Sequence, residues 1–385
     1  MPPHASRRNR ATYDNCVSYR RMKTLHLDTR PDWRGGQHQI LLTMRGLRHL
    51  GHDAQLLTRA NSLLAQRASA ENFSVHRFST RFPRLQALLC LNEILHQQRF
   101  EIIHAHDPHA LTAAWLARAH HRAALAVSRR VAYPLSRFWL GLARYRAAHR
   151  IIAVSKFVAD SVISSGIDSE RVAVVYDGAE IPAPFTPDER IAARHTWNIS
   201  NSARLIGCVG YLLPEKGQEL LLRAMKDVVS LFPDCKLLFA GDGPMRSQLQ
   251  TLATALALES NVIFAGFIAD TESVYRALDV FVFPSLAEPL GSSLLAAMAH
   301  GLPVAAIASG GVPEIIENGR NGMLADVPDP AKLARAICEL LRNPEMASRL
   351  AASARKTISK RFTAELLAEN TLREYEKALS LARRA

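Results

Sequence analysis

The 385-residue sequence contains no uninterrupted apolar run of the roughly 18 residues that a membrane-spanning helix needs. Its best candidate, Leu294 to Ala308, is broken by His300, Gly301 and Pro303. The five cysteines, Cys16, Cys90, Cys208, Cys235 and Cys338, form no Cys-x-x-Cys pair and no metal-like spacing with histidine, which points to a reduced, cytoplasmic compartment. Low-complexity tracts and short-period repeats are absent as well, which excludes solenoids and disordered arrays. Residues 1–21 carry Arg7, Arg8, Arg10, Arg20 and Arg21 without an apolar core, so they do not read as a secretory signal. They are expected to form a disordered extension, with Met22 as an alternative start of translation.

Apolar residues, by contrast, make up 48% of the chain, enough for two globular domains. Charge is divided unevenly between its halves. Residues 1–180 hold 26 basic and 13 acidic residues, and the remainder holds 22 of each. The first half therefore carries all of the net charge of +13, which suits an anionic partner such as a lipid surface or a charged glycan, or else a merely basic domain. A nucleic-acid partner is not expected, because no aromatic-basic module accompanies the charge.

From Thr24 onward, short β-like runs alternate with helix-length amphipathic segments, the pattern of doubly wound parallel sheets. Strands are expected at Thr24–Asp28, Ala54–Leu57, Ser74–His76, Glu101–Ala105, Ala124–Val127, Arg150–Val154 and Val172–Val175. A second series follows at Arg204–Val209, Lys236–Ala240, Asn261–Ala265, Val280–Phe283 and Pro303–Ile307. The divisions read as a Rossmann-like domain over 22–180, a proline-rich linker over 181–202, a second Rossmann-like domain over 203–365, and a terminal helix over 366–385 that returns to the first domain. Two such sheets face each other across a cleft, into which both aim the loops at their strands' carboxyl ends.

Four strand-to-helix turns carry candidate chemistry. In the second domain, the stretch from Pro284 through Glu288-Pro289-Leu290-Gly291 places a carboxylate and a glycine before a helix, whose free N–H groups suit a phosphate. Lys216-Gly217, also between strand and helix, offers an ammonium to the same phosphate. Gly35-Gly36 follows the first strand and allows close backbone approach, although a glycine pair also makes ordinary turns. His104 and His106 alternate at a strand end beside Asp107, a pattern compatible with sugar contact, with a metal site, or, for Asp107, with helix capping. Ser128-Arg129-Arg130 ends another strand and is a candidate grip for an acidic acceptor, with Asp107 a further acceptor-side candidate. The segment around Leu135, Arg137, Phe138, Trp139, Leu142, Arg144 and Arg146 reads either as a basic amphipathic helix on an anionic membrane or as a helix packed on its own sheet.

Taken together, these positions resemble the retaining glycosyltransferases of family 4, which have the GT-B fold of two Rossmann-like domains. The most specific parts are Glu288-Pro-Leu-Gly, Met298-Ala-His-Gly-Leu-Pro-Val304 and Ser309-Gly-Gly-Val-Pro-Glu314, with Gly35-Gly36, His106-Asp107 and Ala153-Val-Ser-Lys156 agreeing in the first domain. The resemblance implies a hexosyltransferase-type enzyme of cell-surface polysaccharide or lipopolysaccharide assembly, peripheral at the inner membrane face. A UDP-linked sugar would be its donor, a glycan or lipid-linked, anionic molecule its acceptor, and no cofactor or metal would be needed. It implies that Lys216 and Gly217 bind the diphosphate, that Glu288 bonds sugar hydroxyls, that His106 orients the sugar, and that Gly35, Gly36, Pro289, Leu290 and Gly291 line the donor site. Because no Asp-x-Asp motif is present, Lys216 and helix N-termini are expected to stabilise the leaving diphosphate during a front-face displacement.

Two positions depart from the resemblance. Tyr211 stands where an arginine is common, and Ala296 where a glutamate usually grips the ribose diol. Two other readings therefore stay open: a catalytically weakened nucleotide-sugar-binding subunit, and a sugar-nucleotide epimerase on the same fold.

Overall fold

The computed structural model describes residues 21–79, 81–135 and 139–384. The expectation of a disordered extension falls, Arg21 apart, outside these residues, as do Arg137 and Phe138.

The first lobe alternates β1 (Lys23–Leu27), α1 (Gly35–His49), β2 (Asp53–Arg59), α2 (Leu63–Ala70), β3 (Ser74–Phe78), α3 (Pro83–Gln97), β4 (Ile102–Ala105), α4 (Pro108–Leu116), β5 (Ala124–Arg129), α5 (Trp139–Arg146), β6 (Arg150–Ala153), α6 (Lys156–Ser164) and β7 (Val172–Val174). The second contains α7 (Pro187–His195), β8 (Leu205–Val209), α8 (Gln218–Leu231), β9 (Lys236–Ala240), α9 (Arg246–Ala255), β10 (Val262–Gly266), α10 (Glu272–Ala277), β11 (Val280–Phe283), α11 (Ser292–Ala299), β12 (Val304–Ile307), β13 (Met323–Ala325), α12 (Pro330–Arg342) and α13 (Pro344–Arg361). Every strand read from the sequence is present. β13, a three-residue edge strand, is the addition.

Both sheets are parallel, in the orders β3-β2-β1-β4-β5-β6-β7 and β10-β9-β8-β11-β12-β13. Helices cover both faces, so central strands such as β11 and β12 are buried along their whole length and read as continuous apolar runs rather than alternating ones. Strand order reverses between β1 and β4 in one lobe and between β8 and β11 in the other. Those two switch points are where side chains from different turns can converge.

The stretch expected as a linker over 181–202 is more ordered than its prolines imply. Thr186 and Glu189 form a reciprocal capping box with Pro187 in the first turn, and α7 follows. Arg190 and Arg194 of α7 bond Asp279 and neighbouring carbonyls, so this helix belongs to the second lobe.

The last helix, α14 (Ala364–Ala382), crosses back and packs on α1, β5 and β6. Leu367, Leu372, Tyr375 and Ala378 are buried there among Ile40, Leu41 and Met44 of α1. Gly46 permits the contact: a Cβ at this position would lie 2.2 Å from that of Ala368. The two crossings also pair with each other, since Ala179 N donates to Phe362 O (2.8 Å) and Ala364 N to Ala179 O (3.1 Å).

α5 and its approach pack inward. Leu135 and Tyr145 are buried in the first lobe's core, and Arg144 bonds Pro108 O and Thr112 Oγ1 of α4.

Candidate active site

In the second lobe the turns after β8 and β11 meet at the switch point. Lys216 Nζ lies 2.7 Å from Glu288 Oε2, and the same oxygen accepts from Ser285 Oγ at 2.8 Å. Glu288 is 5% exposed, so its charge is held by an ammonium and a hydroxyl instead of water. Its other oxygen, Oε1, receives no hydrogen bond from the described residues and remains available as an acceptor. The two turns interlock through Gly217, whose φ is +69° and whose Cβ, if present, would sit 2.0 Å from Pro284 O. A third turn, after β12, braces them from the other side, with Gly311 N donating to Glu288 O at 2.9 Å.

Gly291 lies against the Phe283 ring and opens α11, leaving the first N–H groups of that helix pointing at the cleft. The Leu290 side chain is buried in the core, so what it offers a ligand is its backbone. Pro289 O accepts from Ser155 Oγ of the first lobe at 2.6 Å. Ala296 is half-buried one helical turn after Ser292. The next turn carries His300, which bonds Ala296 O and Glu272 at 2.7 Å each.

The first lobe closes over these groups. A Cβ on Gly35 would lie 2.0 Å from Ser292 Oγ, so the glycine loop rests on the start of α11; Gly36 faces the side chain of Arg130, 4.0 Å away by the same measure. Asp107 caps α4 by accepting from His109 N and Ala110 N, and its carboxylate also binds Thr29 N (2.7 Å) and Thr29 Oγ1 (2.8 Å). These bonds give it the capping role and leave it no part as an acceptor grip.

His106 is held between the two lobes' cleft and the strands behind it by Arg130 and His26. Arg130 Nη1, always a donor, lies 3.3 Å from His106 Nδ1, so that nitrogen carries the lone pair and Nε2 carries the proton. His106 Nε2 then donates to His26 Nδ1 (2.9 Å), and His26 Nε2 to Thr24 Oγ1 (3.2 Å). His104 is tied to Tyr375 Oη (2.7 Å) and Ser128 Oγ (2.8 Å). Burial, with Arg130 nearby, lowers the pKa of His26 to about 3; burial, with positive charge on its neighbours, also holds His104 and His106 well below the ordinary value. The rings are neutral at neutral pH. The nitrogens of His26, His104 and His106 lie within 4.8 Å of one another, a set that in other surroundings would suit zinc. Here a guanidinium abuts the group and its nitrogens are engaged by protein. In this arrangement the N–H of His106 is directed to His26 and its lone pair to Arg130.

Of the proposed acceptor grip, Ser128 and Arg129 turn inward. Ser128 bonds His104, while Arg129 is 3% exposed and bonds Tyr145 Oη and the carbonyl of Tyr133. Only Arg130 reaches the cleft, with Nε on Asp177 at 3.0 Å.

Sequence reading missed His26, Arg34 and the partner of Glu314. His26 stands in register with His104 across β1 and β4, a pairing that strand order alone supplies. Glu314 accepts from Lys156 N (2.9 Å) and Phe157 N (3.0 Å), which places its carboxylate on the N-terminus of α6 in the other lobe, and from Tyr176 Oη (3.0 Å). The motifs containing Ser155 and Glu314 were visible; their function as a bond between lobes was not. Arg34 places its guanidinium 4.0 Å from the centroid of the Tyr211 ring, again from one lobe to the other.

Comparison with known proteins agrees with this geometry. The family described as "Glycosyltransferase Family 4" matches residues 33–181, and "Glycosyl transferases group 1" matches residues 189–357. The D-inositol 3-phosphate glycosyltransferase of Mycolicibacterium vanbaalenii is 33% identical over 57% of this chain and 52% of its own length. The lipopolysaccharide core biosynthesis glycosyltransferase LpsE of Rhizobium meliloti is 29% identical over 66% of this chain and 72% of its own. Several curated relatives are matched over only about half to three-fifths of their length. The crystal structure of Anabaena Alr3699/HepE in complex with UDP and glucose superposes with a TM-score of 0.82 at 23% identity, covering 92% of this chain and 99% of that one. With one family matching each lobe and the two-sheet architecture shared over nine-tenths of its length, the chain belongs to the family 4 and group 1 glycosyltransferases of GT-B fold.

Proposed function

We propose that this protein is a retaining glycosyltransferase that moves a sugar from a nucleoside diphosphate, UDP foremost, to a hydroxyl of a glycan or lipid-linked acceptor in cell-surface polysaccharide or lipopolysaccharide assembly. The observation that carries the reading is the Lys216–Glu288 pair at the second lobe's switch point, 2.7 Å apart and beside the start of α11. The ammonium and the helix N–H groups meet the diphosphate, while the free oxygen of Glu288 accepts from a sugar hydroxyl. As the anomeric C–O bond to the diphosphate breaks, the acceptor oxygen bonds the same carbon on the same face, and its proton passes to the departing phosphate oxygen. Lys216 stabilises the charge that develops there. The UDP complex of HepE and the lipopolysaccharide relatives support the choice of donor and pathway class.

Titration with UDP, GDP and ADP and their sugars tests this. One family of nucleotides binds, and Lys216→Ala weakens it by about 10-fold to 100-fold. Product analysis with and without acceptor separates the alternatives: an isomerised sugar product formed without acceptor makes the protein an epimerase, and binding without turnover makes it a non-catalytic subunit.

A cytoplasmic protein working at the membrane's inner face fits one surface. Phe82, Leu85 and Leu89 at the start of α3 are 68%, 54% and 52% exposed at helical spacing, and Arg81 and Arg84 flank them. The protein is expected to sediment with vesicles rich in phosphatidylglycerol and not with phosphatidylcholine vesicles. Replacing the three apolar residues with serine should cut that binding several-fold; unchanged sedimentation would remove this surface from the proposal.

A further inference from the structure

Arg34 immediately precedes α1 with an extended backbone (φ −135°), which carries its side chain away from the first lobe and across the cleft. There the guanidinium stacks on Tyr211 at 4.0 Å. Asp32 pairs with Arg34 from behind. The Arg34 side chain stays 35% exposed and Tyr211 37%, so neither is sealed off by the stack. Tyr211 belongs to the turn that ends at Lys216, and the residue after Arg34, Gly35, rests on Ser292 at the head of α11. The Arg34 loop therefore spans the walls between which a diphosphate would lie. A guanidinium held flat on an aromatic face keeps its N–H groups directed outward in its own plane, where they can form paired bonds to phosphate oxygens.

We propose that Arg34 is a diphosphate ligand contributed by the first lobe, and that Tyr211 is the platform that aims it. The inference rests on the donor reading above and adds a residue to it. It also gives Tyr211 a purpose: the cation comes from the opposite lobe instead of from position 211. Donor binding then engages both lobes, because Arg34 comes from the first and reaches the Tyr211 turn of the second.

Calorimetric titration of the full chain with UDP and with uridine tests the assignment, using wild type, Lys216→Ala, Arg34→Ala, Arg34→Lys and the double variant Arg34→Ala/Tyr211→Arg. Arg34→Ala is expected to weaken UDP by about 10-fold to 100-fold and to leave uridine unchanged. Arg34→Lys falls between, since it keeps the charge but not the planar fork, and the double variant recovers most of the loss by placing a guanidinium on the second lobe's own turn. If Arg34→Ala binds UDP like wild type while Lys216→Ala does not, the inference fails and the donor site stands. Equal losses for UDP and uridine would make Arg34 a residue of the fold and overturn the assignment. If wild type binds UDP no better than uridine, both readings fall.

Discussion

Replacing Glu288 with glutamine is expected to lower kcat/KM for sugar transfer by about 100-fold to 1,000-fold while leaving UDP affinity equal or higher. The split follows from where the two partners act. Glu288 Oε2 is occupied by Lys216 and Ser285, which leaves Oε1 as the oxygen for the sugar in the proposed reaction. A carboxylate in a nearly buried position accepts a hydroxyl proton far better than an amide does, and the advantage grows as positive charge builds on the sugar ring. Losing that bond accounts for about 1.5–3 kcal/mol, or roughly one to two decades. The remainder comes from Lys216, which loses its counter-charge and is no longer held in place. For the nucleotide alone the same change is favourable, because an ammonium freed from a carboxylate binds phosphate without first giving up a partner. Steady-state kinetics with the sugar donor, set beside calorimetry with UDP, check both halves. Parallel losses in the two measurements would show that Glu288 only supports Lys216 and makes no contact with the sugar.

The fold was legible in the sequence because parallel strands covered on both faces leave long apolar signals, and Val280–Phe283 is apolar throughout. β13 escaped because Met323–Ala325 is three residues long and two of them are only half-buried. α7 escaped because prolines dominate its approach, although Thr186 and Glu189 are the first and last members of a capping box and mark its start. At the site, residues carried within one turn were readable: Lys216, Glu288, Gly217 and the Asp107 cap all follow from local strand-to-helix chemistry. What was hidden depends on partners far away in the chain. Whether His106 has a proton to give is decided by Arg130 and His26, and Tyr211 reads as a lost arginine until Arg34 is seen to stack on it. Glu314 likewise has no role that its own motif reveals until its bonds to Lys156 N and Phe157 N, 158 and 157 residues away, are in view. Sequence spacing reports on a residue's own element, whereas the role of a polar group in a two-lobed cleft is set by the element that faces it.

Gly310 tests how tightly the site depends on backbone placement, and Gly319 supplies its control. Both have positive φ, +52° and +72°, so alanine at either pays the conformational cost of a left-handed backbone, about 1–2 kcal/mol. Their surroundings differ. A Cβ on Gly319 meets nothing within 4 Å, whereas one on Gly310 would lie 1.9 Å from Glu288 O and 2.9 Å from the carbonyl carbon of the same residue. Neither of those atoms can rotate away, because the Glu288 carbonyl is fixed by Gly311 N and the next carbonyl, that of Pro289, by Ser155 of the other lobe. The strain must be relieved by moving the 288–291 turn by about an ångström, and a shift of that size in a reacting group is sufficient to cost roughly 100-fold in rate. Gly310→Ala is therefore expected to lower kcat/KM about 100-fold and to reduce the melting temperature further than Gly319→Ala does. Gly319→Ala should lower only the melting temperature, by a few degrees, and leave transfer unchanged. Equal behaviour of the two variants, in rate as well as in melting temperature, would mean that the turn bearing Glu288 adjusts freely, and that its position is set by the bound donor and not by the protein.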